Sequence, residues 1–325
     1  MSREIEKTSE NPHFSRVYFR SGKGEIQVVA PDFWIEQIRE CEDFRYRLPL
    51  PDFSIFGERV SPRLELNPTW DDLIEIKEEE EVLEIKYGDR RFNSAPQDKY
   101  LRRDLTWLIL SVLERARESQ GQFLVHASSI EKNGRGAVFF GQTHAGKTSL
   151  AAVLAFRYGC NVIGTEHTLL GHGGIEGGTH WMEVGRGLKQ FIPELPVDDP
   201  IGQDIWGREN RDAIDLALLN KHKPSAPLSL LVYVSVVHGT ESLKLTVSEW
   251  SERKTRVLLG EWMRWMIQGS QTYLHNCRRQ LPSLDTLEIS EKRMALVDEW
   301  IKEGKRVLFL KGTADDIAKE VLKRL

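Results

Sequence analysis

The residues with the clearest chemical potential occupy positions 141–148, where the chain carries the phosphate-binding pattern Gly-x-x-x-x-Gly-Lys-Thr. Glycines in such a loop let the backbone wrap around an anion, and the N–H groups that open the following helix point at the phosphates. Lys147, whose side chain we expect to be exposed, would reach the β- and γ-phosphates, and the Thr148 hydroxyl would hold Mg²⁺. The pattern predicts a nucleotide site formed by Gly141, Gln142, Thr143, His144, Ala145, Gly146, Lys147, Thr148 and Ser149.

The segments on either side of this loop have the patterns that it requires. Residues 137–140 are apolar and predict a buried strand, while residues 148–158 predict a helix with an apolar face. Gly159 is a natural end for that helix. A strand, a phosphate loop and a helix are therefore expected in direct succession.

Glu166 and His167 are candidates for metal binding and proton transfer. The stretch that begins at Asn161 predicts a short strand that ends in a carboxylate, Glu166, with His167 directly after it. Phosphate-loop enzymes place a second Mg²⁺ contact at this point. Glu166 is therefore either a ligand of Mg²⁺ or an ordinary surface residue. The Gly-rich stretch at 171–178 is either a mobile loop that closes on a substrate or a plain exposed hairpin.

His126 is placed by the pairing of a predicted hairpin. Asn133-Gly134 lies between two apolar runs, which is a strong signal for a two-residue hairpin turn. In such a hairpin the numbers of paired residues add up to 267, so His126 falls opposite Gly141. A shift of one residue would turn it to the other face. His126 is either part of the nucleotide site or a structural histidine.

The remaining sequence divides into two parts. Residues 1–118 alternate short strand-like pieces with turns, including a hairpin at 73–87, and end in a helix at 101–118. We interpret them as a β-rich N-terminal accessory domain, followed by a domain at 119–325 that holds the phosphate loop. In that second part, residues 228–237 predict a central strand.

Two further segments of the second part have recognisable patterns. Residues 250–280 predict a helix rich in Trp and Arg, which indicates either nucleic-acid contact or a half-buried helix whose arginines cover apolar surface. Residues 306–311 predict a strand, and Thr313 is expected to cap a closing helix with Asp315 and Asp316 in its first turn.

Composition restricts the protein class. The chain has 325 residues, of which 40% are hydrophobic and 29% charged, with a formal net charge of −4, so we expect a soluble globular protein without a general attraction to nucleic acid or anionic membranes. Cys41, Cys160 and Cys277 are isolated, which favours neither a disulfide framework nor a zinc site. The first residues lack the apolar core of a signal peptide, and no apolar stretch is long enough to span a bilayer. A cytoplasmic location is expected.

The segment from His126-Ala-Ser through the hairpin and the phosphate loop to Thr165-Glu166 resembles the HPr kinase/phosphorylase family. It looks closest to HPr-kinase-like proteins with an N-terminal accessory domain, and residues 307–313 are similar to their ending. The resemblance covers residues 121–170 well. It implies an α/β (α+β overall) fold shared with phosphoenolpyruvate carboxykinases, and ATP-dependent phosphate transfer to a hydroxyl, a protein serine in the founding members. It also leads us to expect a homo-oligomer.

Two motifs of the family are altered in this chain. The Asp-Asp pair of the family is Thr165-Glu166 here, which leaves one carboxylate for metal binding and proton acceptance. The Glu-x-Arg-Gly signature of the family is met only loosely, at residues 183–187. Neither the phosphorylase activity nor HPr as the acceptor therefore follows from the resemblance.

The leading hypothesis is an ATP-dependent kinase, using ATP and Mg²⁺, whose acceptor is a hydroxyl of a small molecule, a peptide or a protein serine. Its candidate catalytic residues are Lys147, Glu166 and His126, with Glu166 or His126 accepting the hydroxyl proton. Thr148 and Glu166 would hold the Mg²⁺. A nucleotide-binding switch, or a lapsed kinase without phosphotransfer, is the alternative. Nucleic-acid handling through the Trp/Arg segment is a third hypothesis with little support.

Overall fold

The chain forms a mixed α/β structure around two six-stranded sheets, which agrees with the α/β class predicted from the sequence. The computed structural model describes residues 13–39, 51–52, 63–69, 74–79, 82–88, 99–185, 188–196, 211–237, 244–269, 273–274 and 279–325. These residues include seven helices: α1 (Asp32–Arg39), α2 (Lys99–Ser119), α3 (Lys147–Phe156), α4 (Leu188–Phe191), α5 (Glu252–Met263), α6 (Leu287–Lys302) and α7 (Ala314–Arg324). A search of the described residues found no helix with the length and apolar character needed to cross a membrane.

The first sheet is built from the N-terminal part of the chain, in the strand order β3-β1-β2-β4-β6-β5. Its strands are β1 (Phe14–Ser21), β2 (Gly24–Pro31), β3 (Pro51–Asp52), β4 (Arg63–Thr69), β5 (Ile74–Glu79) and β6 (Val82–Gly88). Strands β1 and β2 form an antiparallel hairpin, β4 runs parallel to both neighbours, and β5 is antiparallel to β6. The hairpin predicted at 73–87 is confirmed by β5 and β6.

Helix α2 covers the first sheet with its apolar side, as the helical spacing at 101–118 predicts. Its inward residues are fully buried and pack with Ile26 and Val28 of β2: Leu105, Leu108, Ile109, Val112 and Leu113. The same core contains residues from much later in the chain: Met266, Ile267, Leu281, Leu284 and Ile289. The first sheet therefore shares its core with the second part of the chain, and the division at residue 118 stays a prediction.

The second sheet carries the phosphate loop and has the strand order β10-β8-β9-β15-β19-β16. Its strands are β8 (Ser128–Lys132), β9 (Arg135–Phe140), β10 (Asn161–Gly164), β15 (Leu228–Val236), β16 (Thr246–Glu249) and β19 (Val307–Gly312). The central three, β9, β15 and β19, are parallel, and the outer strands join antiparallel. Both faces of this sheet are covered, which explains why β15 reads as a continuous apolar run.

Helices form a layer on each side of the second sheet. Because successive strand residues point to opposite faces, Leu231 of β15 joins the core under α5 and α6, whereas Val232 joins the core under α3 and α7. Helix α7 begins as predicted, since the Thr313 hydroxyl accepts a hydrogen bond from the Asp316 N–H at 3.2 Å. Helix α3 and the phosphate loop therefore lie on one face of the second sheet, and α5 lies on the other face.

The helix predicted over 250–280 is shorter than expected. Helix α5 ends at Met263, and the chain turns at Gly269, whose φ is +80° and where an added Cβ would lie 2.1 Å from the Leu281 carbonyl oxygen. The exposed side of α5 carries Arg256, which is paired with Asp298 at 2.7 Å. The buried residues of α5 face the sheet. This arrangement confirms a half-buried helix.

Smaller sheets complete the structure: β7 (Phe123–Val125) with β11 (Thr168–Gly171) and β12 (Gly174–Gly178), β13 (Trp181–Gly185) with β14 (Arg211–Asp215), and β17 (Tyr273–Leu274) with β18 (Arg279–Gln280). The Gly-rich stretch forms the β11–β12 hairpin, so the mobile-loop interpretation is wrong. The hairpin is also largely buried rather than exposed. Its glycines permit close packing, because a Cβ on Gly178 would lie 2.5 Å from the Gly164 Cα atom.

Candidate functional site

The phosphate loop joins the end of β9 to the start of α3 with a shape that depends on glycine. Gly146 has a φ of +84°, and a Cβ there would lie 2.4 Å from the Val236 Cβ atom. The Ala145 N–H donates to the Gln142 carbonyl at 3.0 Å, and the Ala145 carbonyl accepts from the Val236 N–H at 2.9 Å. His144 also has a positive φ, +66°, which is uncommon outside glycine. The loop is therefore held in a defined turn against β15.

Lys147 folds back across this loop. Its Nζ donates to the carbonyl oxygens of Gly141 and Gln142, at 3.1 Å each, and only 6% of the residue is exposed. The expectation of an exposed side chain is wrong, because the loop carbonyls satisfy the ammonium within the turn. Burial lowers the pKa of the Lys147 ammonium to about 8, and the negative charge of Glu166 opposes that shift. Glu166 therefore acts electrostatically on the loop lysine.

The other loop residues are accessible. Gln142, Thr143 and His144 are exposed, and Thr148 and Ser149, in the first turn of α3, are partly exposed. That first turn contains no acidic residue, so no side-chain carboxylate of its own offsets the positive end of the helix dipole. The helix start is thus suited to an anion, with two hydroxyl groups beside it.

Glu166 lies on a turn that several hydroxyl groups hold in place. Thr165 is buried, and its single hydroxyl proton is shared between the backbone carbonyls of Thr179 and Trp181. The Thr179 Oγ1 accepts hydrogen bonds from the backbone N–H groups of Glu166 and His167, at 3.2 and 3.1 Å. These bonds fix the backbone on both sides of the Glu166 carboxylate.

The pairing of the hairpin strands does not extend as far as His126. The predicted register is confirmed for β8 and β9, but the paired residues end at Ser128 and Phe139, two positions short of His126. His126 lies in the short connection between β7, which ends at Val125, and β8, which begins at Ser128. The His126 ring instead packs 5.4 Å from the Trp265 ring and 6.0 Å from the His167 ring, between centroids. Its predicted position beside Gly141 stays a prediction.

The metal prediction rests on Thr148 and Glu166. Among the described residues, no group of three or more His, Cys, Asp or Glu side chains is arranged to hold a metal ion by itself. Mg²⁺ bound with a nucleotide does not need such a group, since it takes one or two protein oxygens together with phosphate and water oxygens. A hydroxyl and a carboxylate are suitable oxygen donors, so the two residues fit Mg²⁺ chemistry.

Two residues near this site were not predicted from the sequence. Trp265 contacts both His126 and His167 through its ring, and Thr179 holds the Glu166 turn. Trp265 lies just beyond α5, in a segment whose pattern indicates either nucleic-acid contact or a half-buried helix and marks no contact with the histidines. Thr179 follows a Gly-rich stretch and has no local signal, because its role depends on β12 returning beside the turn at 165–167.

The structure thus combines a phosphate loop, a buried lysine under the influence of Glu166, and a cluster of two histidines with a tryptophan. Residues 186–187, which complete the loose Glu-x-Arg-Gly match, lie outside the described residues. A scan against protein-family models finds no match for this chain, and a search of curated proteins finds none either.

Proposed function

We propose that this protein is an ATP-dependent kinase that transfers the γ-phosphate to a hydroxyl group of a small molecule, a peptide or a protein serine. The main support is that the phosphate-loop lysine, Lys147, lies under the electrostatic influence of Glu166, a carboxylate on a turn fixed by hydrogen bonds. Phosphoryl transfer requires charge neutralisation and in-line positioning. Lys147 provides positive charge for the phosphates, and Glu166 provides a carboxylate for Mg²⁺ or for the hydroxyl proton.

Each candidate residue has a specific role in this proposal. The loop at 141–149 holds the phosphates, Lys147 neutralises the β- and γ-phosphate charge, and Thr148 and Glu166 hold Mg²⁺, which adds positive charge there. The acceptor oxygen bonds to the γ-phosphorus and its proton passes to Glu166 or His126. The bond from the γ-phosphorus to the β–γ bridging oxygen breaks, and ADP leaves.

The HPr-kinase-like fold, shared with phosphoenolpyruvate carboxykinases, belongs to the same proposal. Its support is the β8–β9 hairpin that leads into the phosphate loop and the short strand β10 that precedes Glu166. We also propose the N-terminal accessory domain, a homo-oligomeric state and a cytoplasmic location. A nucleic-acid partner gains no support from the exposed side of α5, where Arg256 is engaged with Asp298.

Transfer of radioactive label is the direct test. The protein is incubated with Mg²⁺ and γ-labelled ATP in the presence of a metabolite panel or a cell extract, and we expect label to leave ATP for an organic acceptor. Phosphoserine analysis separates protein acceptors from small molecules. Label that reaches only water, with nucleotide binding retained, would contradict the kinase proposal.

One observation favours the second candidate, a nucleotide-binding switch without phosphotransfer. Thr165 stands where the related kinases carry the first Asp, and its hydroxyl is committed to the carbonyls of Thr179 and Trp181. Glu166 is then the single carboxylate on this turn. The same label-transfer experiment decides between the two functions, because a switch binds the nucleotide without passing on its phosphate.

Nucleotide affinity is expected to depend on pH through Lys147. The pKa of the Lys147 ammonium, about 8, should rise when the negatively charged phosphates are bound nearby. Above pH 8 the protein should therefore take up a proton when it binds the nucleotide. Affinity for Mg-ADP should be constant below about pH 8 and fall by roughly tenfold per pH unit above it. Titration calorimetry at a series of pH values measures this. In Lys147→Arg, whose charge does not titrate, the decline should be absent; a parent affinity that stays constant above pH 8 would contradict the assignment.

A further inference from the structure

A buried ion-pair network lies between α2 and α6. Arg117 pairs with Glu114 at 2.6 Å, and Arg293 pairs with Glu118 at 2.6 Å and with Asp285 at 3.0 Å. The side chains of Glu114, Arg117 and Glu118 are completely buried, and that of Arg293 is 2% exposed. Charged groups this deep in a protein are rare unless they are paired.

Such a network restrains its neighbours strongly. A displacement that separates one pair leaves a buried charge without its partner, which is far less favourable than losing an apolar contact. Burial raises the pKa of both Glu114 and Glu118, and the arginines oppose this shift. The network is therefore sensitive to the relative position of the elements that it joins.

One arm of the network holds the segment that carries His126. The Glu114 Oε1 atom accepts a hydrogen bond from the Leu124 N–H at 2.7 Å, and both groups are buried. Leu124 is the middle residue of β7, and His126 directly follows this strand. The carboxylate of Glu114 thus fixes the backbone two residues before the histidine.

The other arm reaches the turn that carries Trp265. Asp285, paired with Arg293, is adjacent to Leu284, whose N–H donates to the Ile267 carbonyl at 2.8 Å. Ile267 is two residues after Trp265 and lies in the core formed with α2. One arm therefore holds the segment that carries His126, and the other holds the segment that carries Trp265. The rings of these two residues are in contact.

The first sheet supports the network from outside. Arg117 also donates from Nη1 to the Ser21 Oγ atom at 3.0 Å, at the β1–β2 turn. Gly24 of that turn packs so closely that an added Cβ would lie 2.3 Å from the Arg117 Cγ atom and 2.8 Å from the Leu113 carbonyl oxygen. The β1–β2 turn therefore packs directly against the part of α2 that carries Arg117.

We propose that this network, through Glu114 and the Arg293–Asp285 pair, positions the His126 ring, a candidate acceptor of the hydroxyl proton, against Trp265. This assignment rests on the proposed kinase function for its catalytic meaning. Glu114, Arg293 and Asp285 are positioning residues: they act through β7 and through the turn at 265–267.

The test compares two substitutions of Glu114 with a control. Glu114→Leu removes the acceptor for the Leu124 N–H, whereas Glu114→Gln removes the charge and keeps an acceptor oxygen. Val321→Ala truncates a buried side chain on the opposite face of the second sheet and controls for a general loss of stability. The first readout is the ¹H–¹³C NMR signal of the His126 ring, assigned with His126→Gln and sensitive to the nearby Trp265 ring. The second is the kcat for label transfer, with the affinity for Mg-ADP measured in parallel.

In Glu114→Leu we expect the His126 signal to move and kcat to fall roughly 10-fold to 100-fold. Nucleotide affinity should change less than about twofold, because the phosphate loop provides most of it. Glu114→Gln should keep the parent His126 signal, and Val321→Ala should keep both the signal and kcat. An unchanged His126 signal in a folded Glu114→Leu protein would overturn the proposal.

A milder variant covers the case in which Glu114→Leu does not fold. Asp285→Asn weakens the pair with Arg293 at its more accessible end, where the Asp285 side chain is 16% exposed, and it should move the same His126 signal. An unchanged signal there would count against the second arm. The NMR readout does not require phosphate transfer. If the parent protein transfers no phosphate, the kinase proposal is refuted, but the NMR signal still tests whether the network positions His126.

Discussion

Lys147→Ala is expected to lower turnover of Mg-ATP by about 100-fold or more and to weaken nucleotide binding strongly, while the fold stays intact. The lysine supplies the only side-chain cation of the phosphate loop, and phosphate charge in the loop would lack its counterion without it. The fold should tolerate the change because the hydrogen bonds of the Lys147 Nζ go to carbonyls of the loop itself, those of Gly141 and Gln142, and because burying its charge is unfavourable.

Lys132 provides a matched control for this substitution. Its Nζ also holds two backbone carbonyls, those of Tyr158 and Gly159, at 2.9 and 3.1 Å, beside the β8–β9 turn. Lys132→Ala should bind Mg-ADP like the parent, as measured by titration calorimetry, and circular dichroism should show that both variants are folded. Parent-like affinity in Lys147→Ala would mean that the loop is not a nucleotide site.

Glu166→Gln is expected to reduce kcat by roughly 10²-fold or more, because it removes a metal contact or the base that accepts the hydroxyl proton. The amide has the size of the carboxylate, and the backbone bonds to Thr179 remain, so the turn should keep its shape. Nucleotide affinity should fall much less, since the phosphate loop provides most of it.

Steady-state kinetics at saturating Mg-ATP measure this effect, and Glu176→Gln is the control. Glu176 is another half-buried carboxylate, bonded to Gln122 at 2.9 Å and paired with Lys23 at 3.2 Å, and its loss should leave kcat near the parent value. Near-normal turnover in Glu166→Gln would move proton acceptance to His126 or His167.

Local patterns predicted the elements around the phosphate loop well. The β9 strand, the start of α3 and the register of β8 with β9 depend on a few adjacent residues. At the hairpin turn, Asn133 and Gly134 both adopt a positive φ, 53° and 79°, as this turn type requires. The Thr313 cap is equally local. Such features can be derived from the sequence because the causes lie within one or two turns of chain.

Features that depend on distant segments were missed. The burial of Lys147 follows from the folded shape of the loop, and the burial of the Gly-rich hairpin follows from its packing against Gly164 and β7. Helix α5 ends at Met263, and beyond it Gly269 packs closely against Leu281, which is distant in the sequence. Trp265 and Thr179 likewise acquire their positions from segments far away in the sequence, so no local pattern marks them.

The core shared by the first sheet and the later chain has a consequence for biosynthesis. Leu281, Leu284 and Ile289 pack into the same core as β2 and α2, but the ribosome produces them long after β2 and α2 have been made. Domains that emerge first usually fold first. Part of the apolar surface of this N-terminal sheet, in contrast, would stay exposed until α6 has been synthesised. A nascent chain stalled before α6 should therefore bind chaperones more readily than the finished protein does.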